Sequence, residues 1–337
     1  MAYCRYLPVA FHIGANMRRN IGKNIAVFFL LLLCFFLVLT GYFIDRKEQK
    51  ELVLLQEKYE RQDKELGELQ EQLSQKRRSW HDIKPKGFVI LAFSEENQHL
   101  MDSIKPEMEK RGLTGTVVIK NKGNVAKEEI EKWTHAGWDI ALGGEIGREK
   151  EQREQFLVDF KKFSKECKTY GVQTPQGFFF NGGEASYGKR SLYPIMKEYS
   201  YSMAVMFAQN ENQLNYSVNQ EYGELKECQN ISLRGGYDVV HNILEQVKTQ
   251  EVPVVLSDFG KDNQMEISQE ESIEGLTEIL DFIQEEQKTG ELKAGSIQQY
   301  LDYLSEIEEE KQKAKKEYES FEQEMKEKRK EIQNTYE

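Results

Sequence analysis

Acidic and polar side chains follow the ends of short apolar runs in the middle of this chain. Ser94, Glu95 and Glu96 end one such run, and Asp258 ends another. Carboxylate oxygens suit Mg²⁺, Ca²⁺ or Mn²⁺, and paired acids also serve in acid–base catalysis. A plainer interpretation competes, in which the two glutamates complement the dipole of a helix whose N-cap is Ser94.

The positions of these side chains depend on the elements that carry them. Seven apolar runs are predicted as strands: Phe88–Phe93, Thr116–Ile119, Trp138–Leu142, Phe178–Phe180, Met203–Phe207, Ile231–Leu233 and Pro253–Leu256. Amphipathic stretches between them predict helices over Gln98–Arg111, Lys127–Ala136, Lys189–Tyr199 and Ile273–Glu286. This alternation indicates βαβ units and a parallel sheet, either closed as a barrel or open. A ligand site is then expected at the carboxyl ends of the strands.

Four segments occur in the same order as similar motifs of a known protein family. They are Leu91–Glu96 (LAFSEE), Gly143–Gly147 (GGEIG), Phe178–Gly183 (FFFNGG) with the strand after it, and Val254–Asp258 (VVLSD). Over about residues 86–304 the chain resembles the polysaccharide deacetylase (NodB-homology) family. The resemblance implies a distorted (β/α)7 barrel of the glycoside hydrolase/deacetylase type.

In that family an aspartate acts as base and a second carboxylate holds a divalent metal with two histidines. The resemblance puts Ser94 at the base position and Glu95 at the metal carboxylate, while Glu149 and Arg153 stand where the two histidines belong. A late histidine that protonates the leaving amine corresponds to Ser257, followed by Asp258. Arginine repels a metal cation and serine is a poor proton shuttle. The family's metal and acid–base residues are therefore degenerate here.

This degeneracy sets the cofactor prediction. No cofactor is expected, and a divalent metal is expected only if the carboxylates form a rearranged site. For Glu149 and Arg153 the plainer interpretation is an i,i+4 ion pair on one helix face. A glycan groove is a further hypothesis, with Asn181 and Tyr187 as candidate contacts, although a turn explains the Asn-Gly-Gly sequence equally well.

An apolar segment near the N-terminus predicts a membrane anchor. Residues 25–44 carry no charge and, at about 1.5 Å per residue, span roughly the 30 Å hydrocarbon core of a bilayer. The residues before it, 1–24, contain lysine and arginine but no acid. The positive-inside rule therefore predicts a single-pass protein with a cytoplasmic N-terminus and an extracytoplasmic C-terminal domain.

Two charged helices are predicted on either side of the barrel, over residues 46–79 and 305–337. The first has a heptad pattern at Leu52, Leu55, Tyr59, Gln62, Leu66, Leu69 and Leu73, which predicts a short parallel coiled coil and a homo-oligomer. The second has a weaker pattern that ends at Ile332. A single charged helix is the alternative for both.

Composition excludes some partners. The formal net charge of −11 argues against nucleic acid, since phosphate binding requires clustered lysine and arginine. The four cysteines show no metal-ligand spacing, and a disulfide between Cys167 and Cys228 is left open.

Three functional hypotheses follow. The leading one is a membrane-anchored extracytoplasmic deacetylase-like protein, catalytically inactive, with a role in binding or assembling cell-envelope glycan. The second is an active metal-dependent carbohydrate deacetylase with a rearranged site. The third is an envelope scaffold protein that acts through its coiled coils, which is compatible with the first.

Overall fold

The chain forms two units. The computed structural model describes residues 7–119, 127–145, 154–155, 158–159, 161–162, 165–166, 169, 175–181, 193–198, 201–207, 214, 221–222, 225–233, 236–258 and 269–336. One unit comprises residues 80–315 and contains the barrel. The other combines residues 1–79 with residues 316–337.

Nine strands are found in the described residues, and seven of them form a closed parallel barrel. The strands are β1 Gly87–Ser94, β2 Thr116–Ile119, β3 Asp139–Glu145, β4 Gly177–Asn181, β5 Met203–Phe207, β6 Glu221–Tyr222, β7 Leu225–Ser232, β8 Pro253–Ser257 and β9 Leu292–Gly295. Neighbours pair in the order β1-β2-β3-β4-β5-β7-β8 and back to β1, always parallel. The predicted (β/α)7 barrel is confirmed by this pairing.

The barrel is distorted where β1 meets β2. The strand β1 pairs with β2 over its last three residues, Ala92–Ser94. Its first half, Gly87–Ile90, pairs instead with β9. The short strand β6 lies outside the ring and pairs antiparallel with β7. The closure between β1 and β2 therefore depends on a few residues at the carboxyl end of β1.

The helices that connect the strands cover the outside of the barrel. The described helices are α1 Leu7–His81, α2 Gln98–Lys110, α3 Lys127–His135, α4 Tyr193–Glu198, α5 Gly236–Gln250, α6 Gln269–Thr289 and α7 Ile297–Tyr336. Alternate residues of β1 belong to two separate clusters. Val89, Leu91 and Phe93 pack in the outer cluster, whereas Phe88 and Ile90 pack in the inner one. All eight residues of β1 are buried, as its apolar sequence predicts.

The amino end of the barrel is closed by the start of α7. Ile297 and Tyr300 belong to the inner cluster, and the Tyr300 ring lies 5.0 Å from that of Phe88. The Gln298 N–H donates to Asp139 Oδ2 at 2.6 Å, so a carboxylate from β3 accepts a hydrogen bond from the first turn of α7. Burial raises the pKa of Asp139, against the lowering effect of hydrogen bonds from Ser296 and the Gln298 N–H.

The helix α1 contains the predicted anchor. Among the described residues, α1 is the one helix long and apolar enough to cross a membrane. Its side chains from Phe28 to Leu31 are more than 60% exposed, as lipid-facing residues would be.

The last part of α1 packs on the end of α7 within one unit. Lys76 Nζ lies 5.8 Å from the centre of the Phe321 ring, and Met325 is only 6% exposed. The half-buried positions of α1 precede Lys76, whereas Met325 and Ile332 follow Phe321. Going away from the contact between Lys76 and Phe321, the covered positions come earlier in the sequence of α1 and later in the sequence of α7. The two helices therefore run antiparallel.

Candidate functional site

The carboxyl end of the barrel brings Ser94 and Asp258 together. Ser94 is the last residue of β1, and Asp258 follows the last residue of β8, its direct neighbour in the barrel. The Ser94 N–H donates to Asp258 Oδ1 at 2.9 Å, and Asn97 Nδ2 donates to Asp258 Oδ2 at 3.0 Å. Asp258 is only 3% exposed. Both of its oxygens therefore accept hydrogen bonds from the connection between β1 and α2.

The acids after β1 lie in a turn, which corrects the expectation of a helix first turn. The helix α2 begins at Gln98 and has no acid in its first turn. The Glu96 N–H donates to Ser94 Oγ at 3.3 Å, and the Asn97 N–H donates to the Ser94 carbonyl at 3.0 Å. Ser94 thus stabilises a turn instead of capping a helix. This turn places the Asn97 side chain next to Asp258. The sequence analysis did not identify Asn97 as a site residue.

Glu95 lies at the edge of this turn. Ser94 Oγ lies 3.4 Å from Glu95 Oε2, and the Glu95 N–H donates to the Val118 carbonyl of β2 at 3.2 Å. The main chain of Glu95 therefore extends the short pairing between β1 and β2. Its side chain is half-buried, whereas that of Glu96 is exposed.

We call the hydrogen bonds that Asp258 accepts from Ser94 and Asn97 the clasp. A second polar pair lies beside the clasp, on β7 and β8. Asn230 Nδ2 donates to Ser257 Oγ at 2.8 Å, and both residues are fully buried. No hydrogen-bond partner of Asn230 Oδ1 is found among the described residues. If the amide oxygen and nitrogen are exchanged, the other atom is left unpaired, since Ser257 Oγ is the one partner that the described residues give this amide. One buried polar atom of Asn230 is thus unsatisfied in either orientation.

Sequence reasoning did not identify Asn230. It lies on a strand whose polar residues interrupt the apolar pattern, and the predicted run Ile231–Leu233 covered only the last two residues of β7. The alternation of Cys228, Asn230 and Ser232, all buried, is the signal that was available. Cys228 belongs to the inner cluster as a free thiol, and burial raises its pKa. Its suggested partner, Cys167, lies outside the described residues.

Other predicted site residues cannot be placed in this geometry. Glu149, Arg153 and Tyr187 lie outside the described residues, and only the backbone of Asn181 is described, at the end of β4. That backbone position is at the same end of the barrel as Ser94, because all barrel strands are parallel.

The family that the sequence resembles implies a divalent metal at this end of the barrel. The described residues do not fit one. They contain no group of three histidine, cysteine or acidic side chains placed to hold a metal ion. The Asp258 carboxylate is already bonded to two N–H donors, and Ser94 offers a neutral hydroxyl. The described part of the site is thus a hydrogen-bonded polar cluster with a single buried carboxylate.

Comparisons with known proteins bear on the fold. No family model matches the chain, and no curated protein matches it. Among solved structures, the chain is similar to a wild-type CE4-family pseudoenzyme from Bacillus anthracis, at 14% identity and a TM-score of 0.41, over 65% of this chain and 66% of that one. A mutant of the peptidoglycan deacetylase PdaC from Bacillus subtilis matches at 10% identity and a TM-score of 0.41, over 69% and 98%.

A third match is the catalytic domain of a peptidoglycan N-acetylglucosamine deacetylase from Eubacterium rectale, at 17% identity and a TM-score of 0.37, over 63% of this chain and 89% of that one. These are structures of the family that the sequence resembles. All three TM-scores lie below 0.5, and the assignment of the barrel rests on the strand pairings of the chain itself.

Proposed function

We propose that this protein is a membrane-anchored, extracytoplasmic deacetylase-like barrel that binds envelope glycan without hydrolysing it. One observation carries the proposal: Asp258, the buried carboxylate at the carboxyl end of the barrel, accepts hydrogen bonds from Ser94 and Asn97 with both oxygens. A carboxylate satisfied in this way is a poor base and a poor metal ligand, because either role would break a buried charge-assisted hydrogen bond.

The lost proton-transfer groups support the same conclusion. The residues at the family's base and late-histidine positions are Ser94 and Ser257, both fully buried and neutral. A serine hydroxyl does not titrate near neutral pH. Hydrolysis of an N-acetyl amide needs a group that accepts a proton from water and one that gives a proton to the amine. In the described part of the site neither position supplies such a group.

Ligand binding is supported by the unsatisfied amide of Asn230. Buried polar atoms without partners are rare, and each one calls for a water or a ligand atom to complete it. Because the Asn230 amide is fully buried, a bound sugar would reach it through a water molecule beside Ser257. The proposed groove also includes Asn181 and Tyr187, which would contact the same ligand at the strand ends.

The anchor and its direction complete the proposal. The apolar part of α1 would cross the membrane once. The basic residues before it would keep the N-terminus in the cytoplasm, leaving the barrel outside, where envelope glycans are found.

The test uses the purified full chain. It is incubated with N-acetylated chito-oligosaccharides and peptidoglycan fragments, with Zn²⁺, Co²⁺ or Mn²⁺ added, and acetate release is measured. We expect no turnover, together with co-sedimentation of the protein with cell-wall glycan. Asn181→Ala and Tyr187→Ala should weaken the co-sedimentation. Glu291→Ala, at the opposite end of the barrel, is the matched control and should leave it unchanged.

Turnover that disappears in Glu95→Ala would refute the proposal and show the alternative, an active deacetylase with a rearranged carboxylate site. Absence of both turnover and sedimentation would refute glycan binding.

A further inference from the structure

Five large apolar residues of α1 lie exposed just beyond the predicted membrane span: Leu52, Val53, Leu54, Leu55 and Tyr59. Three of them follow the heptad pattern. Leu52 is 65% exposed, Leu55 is 45% exposed and Tyr59 is 57% exposed. We call these three residues the proximal seam. Their 3-4 spacing places them on one face of α1. An exposed apolar stripe of this kind is typical of a helix that packs against a partner.

The same stripe continues along α1 into residues that are already covered. Its next members are half-buried: Gln62, Leu66, Leu69 and Leu73, which we call the distal seam. This part of α1 leads to the contact between Lys76 and Phe321 of α7, and Met325, one turn further along α7, is buried. One continuous heptad pattern is thus divided into a half-buried distal part next to the contact with α7 and an exposed proximal part.

We propose that the proximal seam binds the proximal seam of a second copy of this chain in a parallel pair. This rests on the proposed membrane anchor. Two copies anchored in one bilayer direct α1 the same way, and Leu52 lies about 12 Å beyond Ile44 in both, at about 1.5 Å per residue. Leu52, Leu55 and Tyr59 of the two copies therefore meet at equal heights. A self-complementary stripe is what a twofold pair requires.

The charges beside the stripe agree with a parallel register. If Leu52 and Tyr59 are a positions, Lys58 is a g position and Asp63 is the e position five residues later. In a parallel pair these two side chains, one from each copy, face each other with opposite charge. The stripe does not extend towards the membrane, because Asp45 and Glu48 occupy the preceding seam positions.

The small size of the contact makes it depend on the membrane. Three side chains per copy bury far less than the roughly 1,200 Å² of a typical stable interface. Anchoring two copies in one bilayer raises their effective concentration and orients them, which compensates for a weak contact. The pair should thus form between anchored chains and dissociate in dilute detergent.

The experiment is cysteine cross-linking of the full chain in membranes. Cys4, Cys34 and Cys167 are replaced by alanine, and the fully buried Cys228 is kept. Leu55→Cys is compared with Glu57→Cys, an exposed position on the opposite face of α1, under a mild oxidant. We expect a covalent dimer at least fivefold more abundant for Leu55→Cys. Adding Leu52→Glu to Leu55→Cys should reduce that dimer severalfold.

A separate variant checks the intrachain pair. The double substitution Lys76→Cys with Phe321→Cys should be joined within one chain by a short bis-maleimide, without a dimer. Equal cross-linking at positions 55 and 57 would overturn the proposal. It would also be overturned if Leu55→Cys failed to cross-link and was shielded from an aqueous maleimide, because lipid would then cover the stripe. Release of the wild-type chain from membranes by alkaline carbonate would instead refute the anchor, and so the proposed function.

Discussion

Replacing Asp258 by asparagine tests whether this carboxylate is a structural clasp. The side chain is 3% exposed and accepts hydrogen bonds from the Ser94 N–H at 2.9 Å and from Asn97 Nδ2 at 3.0 Å. An asparagine keeps the shape but offers one acceptor, so its NH₂ group faces one of the two donors. The loss of one charge-assisted hydrogen bond is worth about 1.5–3 kcal/mol. For a domain of this size that lowers the Tm by about 3–12 °C.

The assay is thermal and urea unfolding of the purified full chain, followed by tryptophan fluorescence. Trp133 and Trp138 are buried in the barrel unit and report its unfolding. Asp102→Asn is the matched control. It removes an exposed carboxylate that accepts a hydrogen bond from Gln98, and should change stability by less than about 0.5 kcal/mol.

A double-mutant cycle assigns the effect to the clasp. Asn97→Ala removes one of the two donors, and its effect should not add to that of Asp258→Asn, since the two side chains share a hydrogen bond. An Asp258→Asn protein as stable as the wild type would refute the reasoning. An Asp258→Asn protein more stable than the wild type would indicate a functional role for Asp258, because a carboxylate that lowers stability is typical of an active site.

Three further predictions concern the rest of the molecule. Burial raises the pKa of Asp139 in the folded state, so its contribution to stability is fully present below the unfolded-state pKa and is lost as the pH rises through the folded-state pKa. Asp139→Asn should therefore be less destabilising at pH 7 than at pH 3.5, as measured by urea unfolding. The opposite order would refute the raised pKa. Gly87→Ala should destabilise the protein by about 1–3 kcal/mol, because the added Cβ would lie 2.5 Å from a main-chain carbonyl oxygen of α5. The control Gly275→Ala, on α6, adds its Cβ into open space and should stabilise the protein by up to about 1 kcal/mol in the same assay. Met325→Glu should expose the end of α7 to limited trypsin digestion severalfold faster than the exposed control Gln323→Glu, and equal rates would contradict the helix pair.

Most of the barrel could be predicted from the sequence because its strands are buried on both faces. The strand β1 reads as a continuous apolar run, and its eight residues are all buried. Runs of this kind identify parallel strands without any periodic signal. The alternating helices then impose the parallel order. The predicted run Thr116–Ile119 agrees with β2 to the residue.

The strand β7 shows where this reasoning is insufficient. It extends over Leu225–Ser232, but only its last residues were predicted. Its outward Glu227 bonds to the hydroxyl of Tyr193 on α4, and its inward Asn230 bonds to Ser257. Polar residues that bond to distant partners hide a buried strand from a hydrophobicity pattern. The partner of each lies more than twenty residues away in the sequence, where no local rule reaches it.

The distal seam shows the same limitation for the helices. The heptad pattern of α1 predicts a coiled-coil partner but does not name it. The structure gives part of that stripe a partner in α7 of the same chain. Homo-oligomerisation remains a prediction, and it now applies to the proximal seam.

The geometry of the clasp explains how a barrel of this type keeps its fold when its catalytic side chains change. Asp258 accepts its first hydrogen bond from the main chain of Ser94, and a main-chain N–H is present whatever side chain occupies position 94. Its second partner is Asn97, outside the positions that the family resemblance assigns to chemistry. The main chain of Glu95 likewise joins β1 to β2 through its N–H. Closure of the carboxyl end therefore depends on the Asp258 carboxylate, on main-chain atoms and on Asn97. Catalysis in the family depends on side chains at positions 94, 95 and 257. Because different atoms carry the two properties, substitutions at positions 94, 95 and 257 leave the closed barrel in place.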